Sequence, residues 1–69
     1  MTISINESYI LYGKMGKMKR MKPVYKDRFV SNLIHAEILT PKTLEDIVKM
    51  EREVRFLQGQ GQFELRKIN

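Results

Sequence analysis

The sequence has no cysteine and only one histidine. Without thiols the chain can build neither a disulfide framework nor a zinc–thiolate site, and it has no cysteine nucleophile. A single imidazole cannot provide the two or more histidine ligands that most catalytic zinc centres use. We therefore expect a protein with no metal and no cofactor.

The one histidine, His35, also makes a poor catalytic base. Its nearest candidate nucleophile is Ser31, and both residues lie in a segment that we predict to be a strand. In a strand they would project from the same face about 13 Å apart along the backbone, because the rise is roughly 3.3 Å per residue. That separation is too large for a nucleophile and its base to share a hydrogen bond, so we expect no catalytic residues and no enzymatic activity.

Long apolar runs are missing as well. Residues 1–13 lack the basic region and the apolar core of a signal peptide, and no stretch approaches the roughly 18 apolar residues of a membrane-spanning helix. A cytoplasmic protein without membrane contact is the default expectation. With 69 residues, the chain predicts a single domain over residues 1–69, in which residues 1–7 either extend the first strand or form a frayed end.

Acidic residues are scarce in one part of the chain. Overall, 13 Lys and Arg residues stand against 8 Asp and Glu residues, a net charge of +5. Residues 14–28 hold seven bases and one acid, which is +6, so the rest of the chain sums to −1. Such a stretch can attract phosphates or an acidic protein surface. The alternative is a solvated hairpin whose lysines protect a sheet edge from further pairing.

Apolar and β-branched residues predict three strands in the first part of the chain, over residues 8–15, 17–22 and 29–39. We expect a tight turn at Gly16, because glycine tolerates positive φ without steric cost. Pro23 should end the second strand. A polar connection then carries Tyr25 over the sheet, and the third strand is the longest.

The second part of the chain predicts one helix, from residue 41 to about residue 57. Thr40 is a good N-cap, and Pro41 suits the first helical position, where a missing N–H costs nothing. The glycines within residues 58–62 end the helix, and a short strand follows over residues 63–68. The apolar stripe that carries this prediction consists of Leu44, Ile47, Val48, Met50, Val54 and Leu57.

The resulting order of elements, β-β-β-α-β, places the protein in the α+β class. We expect a small antiparallel or mixed sheet of three to four strands with one helix packed on one face, since this arrangement buries the apolar sides of both layers. Met15, Met18 and Met21 recur within the basic stretch. They predict either core packing or an adaptable binding surface.

The basic stretch also contains the candidate binding residues. Lysines and arginines can follow a phosphate backbone, and tyrosines can stack on bases. The diagnostic motifs of nucleic-acid-binding domains are missing, since the sequence has no RNP motif, no GXXG clamp and no helix-turn-helix pair. The predicted partner-binding residues are Lys14, Lys17, Lys19, Arg20, Lys22, Tyr12 and Tyr25.

Three segments together resemble small proteins encoded by phages and plasmids of Gram-positive bacteria: YILYGKMGK at 9–17, VSNLIHAEILTPKTLED at 30–46 and FELRKI at 63–68. Some phage proteins of this size and layout are anti-CRISPR proteins, which bind the CRISPR effector complex of the host and have no enzymatic activity. The resemblance implies an inhibitor of host defence that acts in the bacterial cytoplasm. Many such inhibitors are acidic DNA mimics, a mechanism that the basic stretch forbids here.

Three functional hypotheses follow. The leading one is a phage-type inhibitor that docks on a host protein or ribonucleoprotein through the hairpin that carries Lys14, Lys17, Lys19, Arg20 and Lys22. Its anchors would be Tyr12, Tyr25 and Met18. The alternative is a small nucleic-acid-binding regulator that uses the same surface. The third is an interaction module that forms a homodimer through an open sheet edge.

Overall fold

A computed structural model describes residues 2–26 and 28–68, and it confirms the α+β prediction. The described residues form a curled antiparallel sheet with one α-helix on one face. The strands are β1 (Tyr9–Lys14), β2 (Lys22–Tyr25), β3 (Arg28–Phe29), β4 (Ile38–Leu39) and β5 (Gln62–Lys67). A short 3₁₀-helix covers Leu33–His35, and the α-helix, α1, covers Leu44–Gln58.

Strand β1 lies at the centre of the sheet. It pairs with β5 along its whole length, from Tyr9 opposite Lys67 to Lys14 opposite Gln62. Its other edge is shared, because β2 pairs with the end of β1 and β4 pairs with its beginning. The two-residue strand β3 extends the sheet beyond β2.

The core lies between the sheet and α1. Side chains alternate between the two faces of a strand, and the odd-numbered residues of β1 and β5 face the helix. Phe29 stacks on Phe63 with ring centroids 6.2 Å apart, which joins β3 to this core. The buried core residues are Tyr9, Leu11, Val24, Met50, Val54, Phe63 and Leu65.

Glycine at position 13 is required by the core. Gly13 lies opposite Phe63 in the β1–β5 ladder, and the Phe63 ring occupies the space that a Cβ at position 13 would need. The aromatic ring therefore packs directly on the backbone of β1. This close approach explains why a residue of low strand propensity stands in the central strand.

Helix α1 begins later than the sequence predicts. Its N-cap is Thr43, whose hydroxyl accepts a hydrogen bond from the Asp46 N–H at 3.2 Å. The Asp46 carboxylate in turn accepts bonds from the N–H groups of Lys42 and Thr43, at 2.9 and 3.2 Å. These bonds, that of Lys42 first, lower the pKa of the Asp46 carboxyl. The two side chains form a reciprocal capping box.

Thr40 and Pro41 therefore lie before the helix, and the prediction that they cap it is wrong. The Thr40 hydroxyl hydrogen-bonds with that of Ser8 at 2.7 Å, and Pro41 is fully buried while its carbonyl accepts from the Asn6 N–H. Both residues anchor the N-terminal segment to the sheet. The predicted helix stripe is also narrower than expected, because Leu44 and Val48 are 72% and 47% exposed.

The prediction for the second strand is wrong in its position. Residues 15–21 form a loop, and the strand begins at Lys22 and contains Pro23. Proline is tolerated here because the backbone of Pro23 points towards β3 at the margin of the sheet. Its carbonyl accepts a hydrogen bond from the Val30 N–H at 2.9 Å, and no N–H from position 23 is required in return. The predicted turn at Gly16 is confirmed, with φ of 55° and a bond from the Met18 N–H to the Met15 carbonyl.

The long third strand over residues 29–39 is also wrong. It is divided into β3, the 3₁₀-helix and β4. The side chain of Asn32 accepts a hydrogen bond from the Ile34 N–H at 3.1 Å, and such local bonds compete with a sheet ladder. The edge of β1 is also partly occupied by β2, so no continuous partner exists for a long strand. The first and last predicted strands, in contrast, are confirmed to within one residue at each end.

Candidate binding surface

Five predicted binding residues lie at one end of the sheet, which we call the basic end: Lys14, Lys17, Lys19, Arg20 and Lys22. Lys14 is the last residue of β1 and Lys22 the first of β2. The other three lie in the loop between these strands and are exposed, and Lys14 is half-buried. The hairpin therefore brings together charges that span nine positions in the sequence.

The basic end is free of acidic residues. The segments that meet there, residues 13–23 and residues 56–63, contain five bases and no Asp or Glu. In the described part of the chain, no carboxylate lies within 4.0 Å of any of these five side chains, whereas Lys49, Arg66 and Lys67 elsewhere form ion pairs. The positive charge of this end is therefore uncompensated, and it creates a local positive potential.

Tyr12 lies beside the basic end but already has a partner. It points to the sheet face opposite the helix and is half-buried. The Arg66 guanidinium lies 4.2 Å from the centre of its ring, and Arg66 also pairs with Glu64 at 3.0 Å. One face of the Tyr12 ring is thus covered by Arg66, which reduces the ring surface that a partner can contact.

Tyr25 lies away from the basic end. It is the last residue of β2, three residues beyond Lys22, which corresponds to about 10 Å along the strand. Its side chain is 42% exposed, and the Lys26 ammonium lies 5.6 Å from the ring centre. The basic run of residues 14–28 is therefore divided between two ends of the sheet, with Tyr25, Lys26 and Arg28 at the second end.

The methionines of the basic stretch are half-buried. Met15 packs against the core, and Met18 and Met21 are each of intermediate exposure. Met15 thus follows the core-packing interpretation. Met18, which we predict as an anchor, presents only part of its surface to a partner.

The segment with Ser31 and His35 is not a strand, so the 13 Å separation does not apply. Both side chains are exposed, and the His35 N–H bonds to the Asn32 carbonyl at 3.0 Å. Within residues 2–26 and 28–68, no three His, Asp or Glu side chains cluster as metal ligands would. In the same residues, no helix has the length and apolar character needed to cross a bilayer.

The sequence does not predict an apolar groove that lies beside the helix. The groove has a volume of about 480 Å³ and lies between α1 and the strands β2 and β4. Phe56, on the helix, is 68% exposed next to it. The signal that points to this surface is a large aromatic residue outside the predicted apolar stripe. The groove is lined by Leu11, Val24, Leu39, Phe56 and Leu57, with Lys26, Glu37 and Glu53 at its rim.

Comparisons with protein-family models, with curated protein sequences and with solved structures found no match to this chain.

Proposed function

We propose that this protein acts by binding, without catalysis, and that its basic end docks on an anionic surface of a host ribonucleoprotein of the CRISPR effector type. The observation that supports docking is the group of five basic side chains at one end of the sheet without a nearby acid. The CRISPR effector as partner class rests on the resemblance to small phage proteins.

The chemistry of the basic end favours a polyanion. Exposed lysines gain little from single carboxylates, because isolated surface ion pairs contribute about 0–1 kcal/mol. Several lysines along a line of phosphates gain more, since each neutralised phosphate releases bound counterions. Lysine charge also speeds the encounter between partners more than it tightens the final complex. A surface that carries RNA fits these properties.

A charge-reversal experiment tests the proposal. The variant Lys17→Glu/Lys19→Glu/Arg20→Glu changes three exposed loop residues by six charge units in total. Because these side chains are exposed, we expect an unchanged fold and the loss of both complex formation and inhibition with a CRISPR effector. Co-purification and a DNA-cleavage assay provide the two measurements.

A matched control separates the basic end from net charge. The variant Lys42→Glu/Lys49→Glu/Arg52→Glu changes the total charge equally, but at exposed positions on or next to α1. It should bind and inhibit like the unmodified protein. If both triple variants behave alike, or if the loop variant keeps full inhibition, the basic end is not the docking surface.

Direct nucleic-acid binding is the second candidate, favoured by the uncompensated charge itself. If all five bases contact phosphates of single-stranded RNA, log K should fall against log salt with a slope of about −3.5. Fluorescence anisotropy with a generic RNA measures this slope. Binding without the protein part of any effector, at physiological salt, would replace the leading proposal with this one.

A further inference from the structure

The outer edge of β5 offers a pairing surface. Within residues 2–26 and 28–68, β5 pairs only with β1. The Ile68 N–H donates to the Ser8 carbonyl at 2.8 Å, which shows that Ile68 and Ser8 form a hydrogen-bonded pair of the β1–β5 ladder. Because hydrogen-bonded pairs alternate along antiparallel strands, Glu64 and Arg66 bond to β1. The backbone groups of Phe63, Leu65 and Lys67 point outwards.

One of these outward groups is already bonded from the helix. The Gln58 side-chain amide donates to the Phe63 carbonyl at 3.0 Å, as expected for a carbonyl that points away from β1. Elsewhere along this edge, no backbone or side chain of the described residues bonds to the outward groups of Leu65 and Lys67. The edge therefore carries free donors and acceptors, which is the usual template for adding a strand.

We propose that this edge pairs with β5 of a second copy of the chain. The two strands run antiparallel about a two-fold axis with Leu65 opposite Leu65. In this register, Phe63 lies opposite Lys67 of the second copy. Four hydrogen bonds form between free outward backbone groups, and two more use the Phe63 carbonyls, which also accept from Gln58. A continuous sheet results, with both helices on the same face.

The charges of β5 select this register. A two-fold axis at Glu64 would place two carboxylates opposite each other, and an axis at Arg66 would place two guanidinium groups together. An axis at Leu65 places Glu64 opposite Arg66 twice, in non-hydrogen-bonded pairs where Cα atoms are about 4.5 Å apart. Opposite charges in such cross-strand pairs stabilise a sheet. Both side chains are about half exposed and pair with each other within the chain at 3.0 Å, so the dimer adds cross-strand partners to an existing ion pair.

The flank of α1 above β5 adds apolar contact. A stable interface buries about 1,000 Å² or more, so backbone pairing needs support from side chains. A small cavity on the β5 side of α1 is lined by Glu51, Val54, Arg55 and Gln58 of the helix, by Leu65 of β5 and by Ile3 of the N-terminal segment, so Ile3 already covers part of this flank. Leu44 and Val48 continue the same flank towards the helix start, and they are 72% and 47% exposed.

The geometry of two-layer proteins allows the two helices to meet. Neighbouring strands lie about 4.8 Å apart, and helices pack at about 8–10 Å between axes. A helix that covers β5 and β1 in each copy therefore lies within packing distance of its symmetry mate. Burial of Leu44 and Val48 would also explain why two large apolar residues lie outside the core of the single chain.

The dimer keeps the basic ends apart. Because the strands run antiparallel, the two basic ends lie at opposite ends of the paired sheet. Charges separated by more than about 8 Å are largely screened at physiological salt. The proposed dimer therefore leaves both basic ends free, and its test is independent of the docking proposal.

Sedimentation equilibrium from about 1 µM to about 1 mM tests the dimer, since this range covers weak protein association. The unmodified chain should show a monomer–dimer equilibrium. Glu64→Arg and Arg66→Glu should each weaken it about tenfold, because each replaces two opposite-charge pairs by two like-charge pairs. An equimolar mixture of the two variants should form heterodimers, and the double variant Glu64→Arg/Arg66→Glu should recover the homodimer.

A backbone variant provides a second, charge-independent measurement. The Lys67 N–H points outwards, so Lys67→Pro removes an edge donor without removing a bond to β1. It should weaken the dimer, while circular dichroism shows an intact fold. A chain that stays monomeric over the whole range overturns the proposal. A dimer that is indifferent to all these variants overturns it as well.

Discussion

The two edges of β1 divide the molecule into unequal halves. In the closed half, six residues of β5 pair with β1 under α1, and Tyr9, Leu11, Phe63 and Leu65 are all buried. In the open half, two short strands share the other edge, Ile34 is 80% exposed, and a groove remains beside the helix. We therefore expect the closed half to contribute most of the stability, whereas the open half provides accessible surface.

Chain connectivity explains this difference. Helix α1 is joined to β5 by three residues, so helix and strand pack together at a small cost in loop entropy. The open half has to bring residues 22–39 onto an edge that offers space for only two short pairings. Its backbone therefore turns repeatedly, and fewer of its side chains reach the core.

The largest expected loss of stability comes from removing a core side chain, and comparing one such change in each half tests the difference between them. Phe63→Ala should lower the free energy of unfolding by about 3–5 kcal/mol, because it empties the space over Gly13. Val24→Ala should cost about 2 kcal/mol or less, since it removes fewer methyl groups and borders an open groove. Urea denaturation measures both. Equal losses would mean that the two halves contribute alike.

A smaller loss of stability is expected when a glycine in the closed half is replaced. Gly13→Ala should cost about 1–3 kcal/mol, because the new Cβ collides with the Phe63 ring. In a Phe63→Leu background the same change should cost clearly less, which a double-mutant cycle by thermal denaturation reveals. Equal costs in both backgrounds would show that the ring does not limit position 13. Gly16→Ala is a control, because its cost comes from positive φ and does not depend on Phe63.

The smallest effect concerns the start of α1, between the two halves. Asp46 has a lowered pKa in the folded chain, so its contribution is present above about pH 4 and is lost as pH falls through the folded value. Asp46→Asn should therefore destabilise the protein at pH 7, and the difference from the unmodified chain should shrink at low pH. Thermal melts between about pH 2 and 7 follow this trend.

Thr43→Ala is the companion variant for the capping box. It should cost about 1 kcal/mol, with a loss that persists at acidic pH because a hydroxyl does not titrate there. A difference for Asp46→Asn that stays constant down to the lowest pH would show that its carboxylate charge is not what stabilises the helix start.

Local patterns predicted the elements that depend on short-range chemistry. The first and last strands, the turn at Gly16 and the body of α1 follow from residue alternation, glycine and helical spacing. The helix start was misplaced because Thr40 and Thr43 are both acceptable caps. Only the position of Asp46, three residues after Thr43, distinguishes them. The capping-box spacing of Thr43 and Asp46 is therefore the sequence signal that identifies the helix start.

The binding surface was predicted in part. The five bases of the basic end lie together because residues 14–22 form one hairpin, a neighbourhood that sequence distance already implies. Tyr25 was placed with them because it is close in sequence, but β2 carries it to the other end of the sheet. The contact of Arg66 with Tyr12 joins residues that are 54 positions apart, and no local sequence pattern predicts it.

The sequence by itself determined the α+β class, the single helix, the two strands of the closed half and the location of the excess positive charge. These depend on periodicity, on glycine and on the order of charges, which act between near neighbours. Only the tertiary structure decided how the segment between β2 and β4 folds, which apolar helix residues stay exposed and which strand edge remains open. Those outcomes depend on competition for the two edges of β1, and that competition involves residues far apart in the chain.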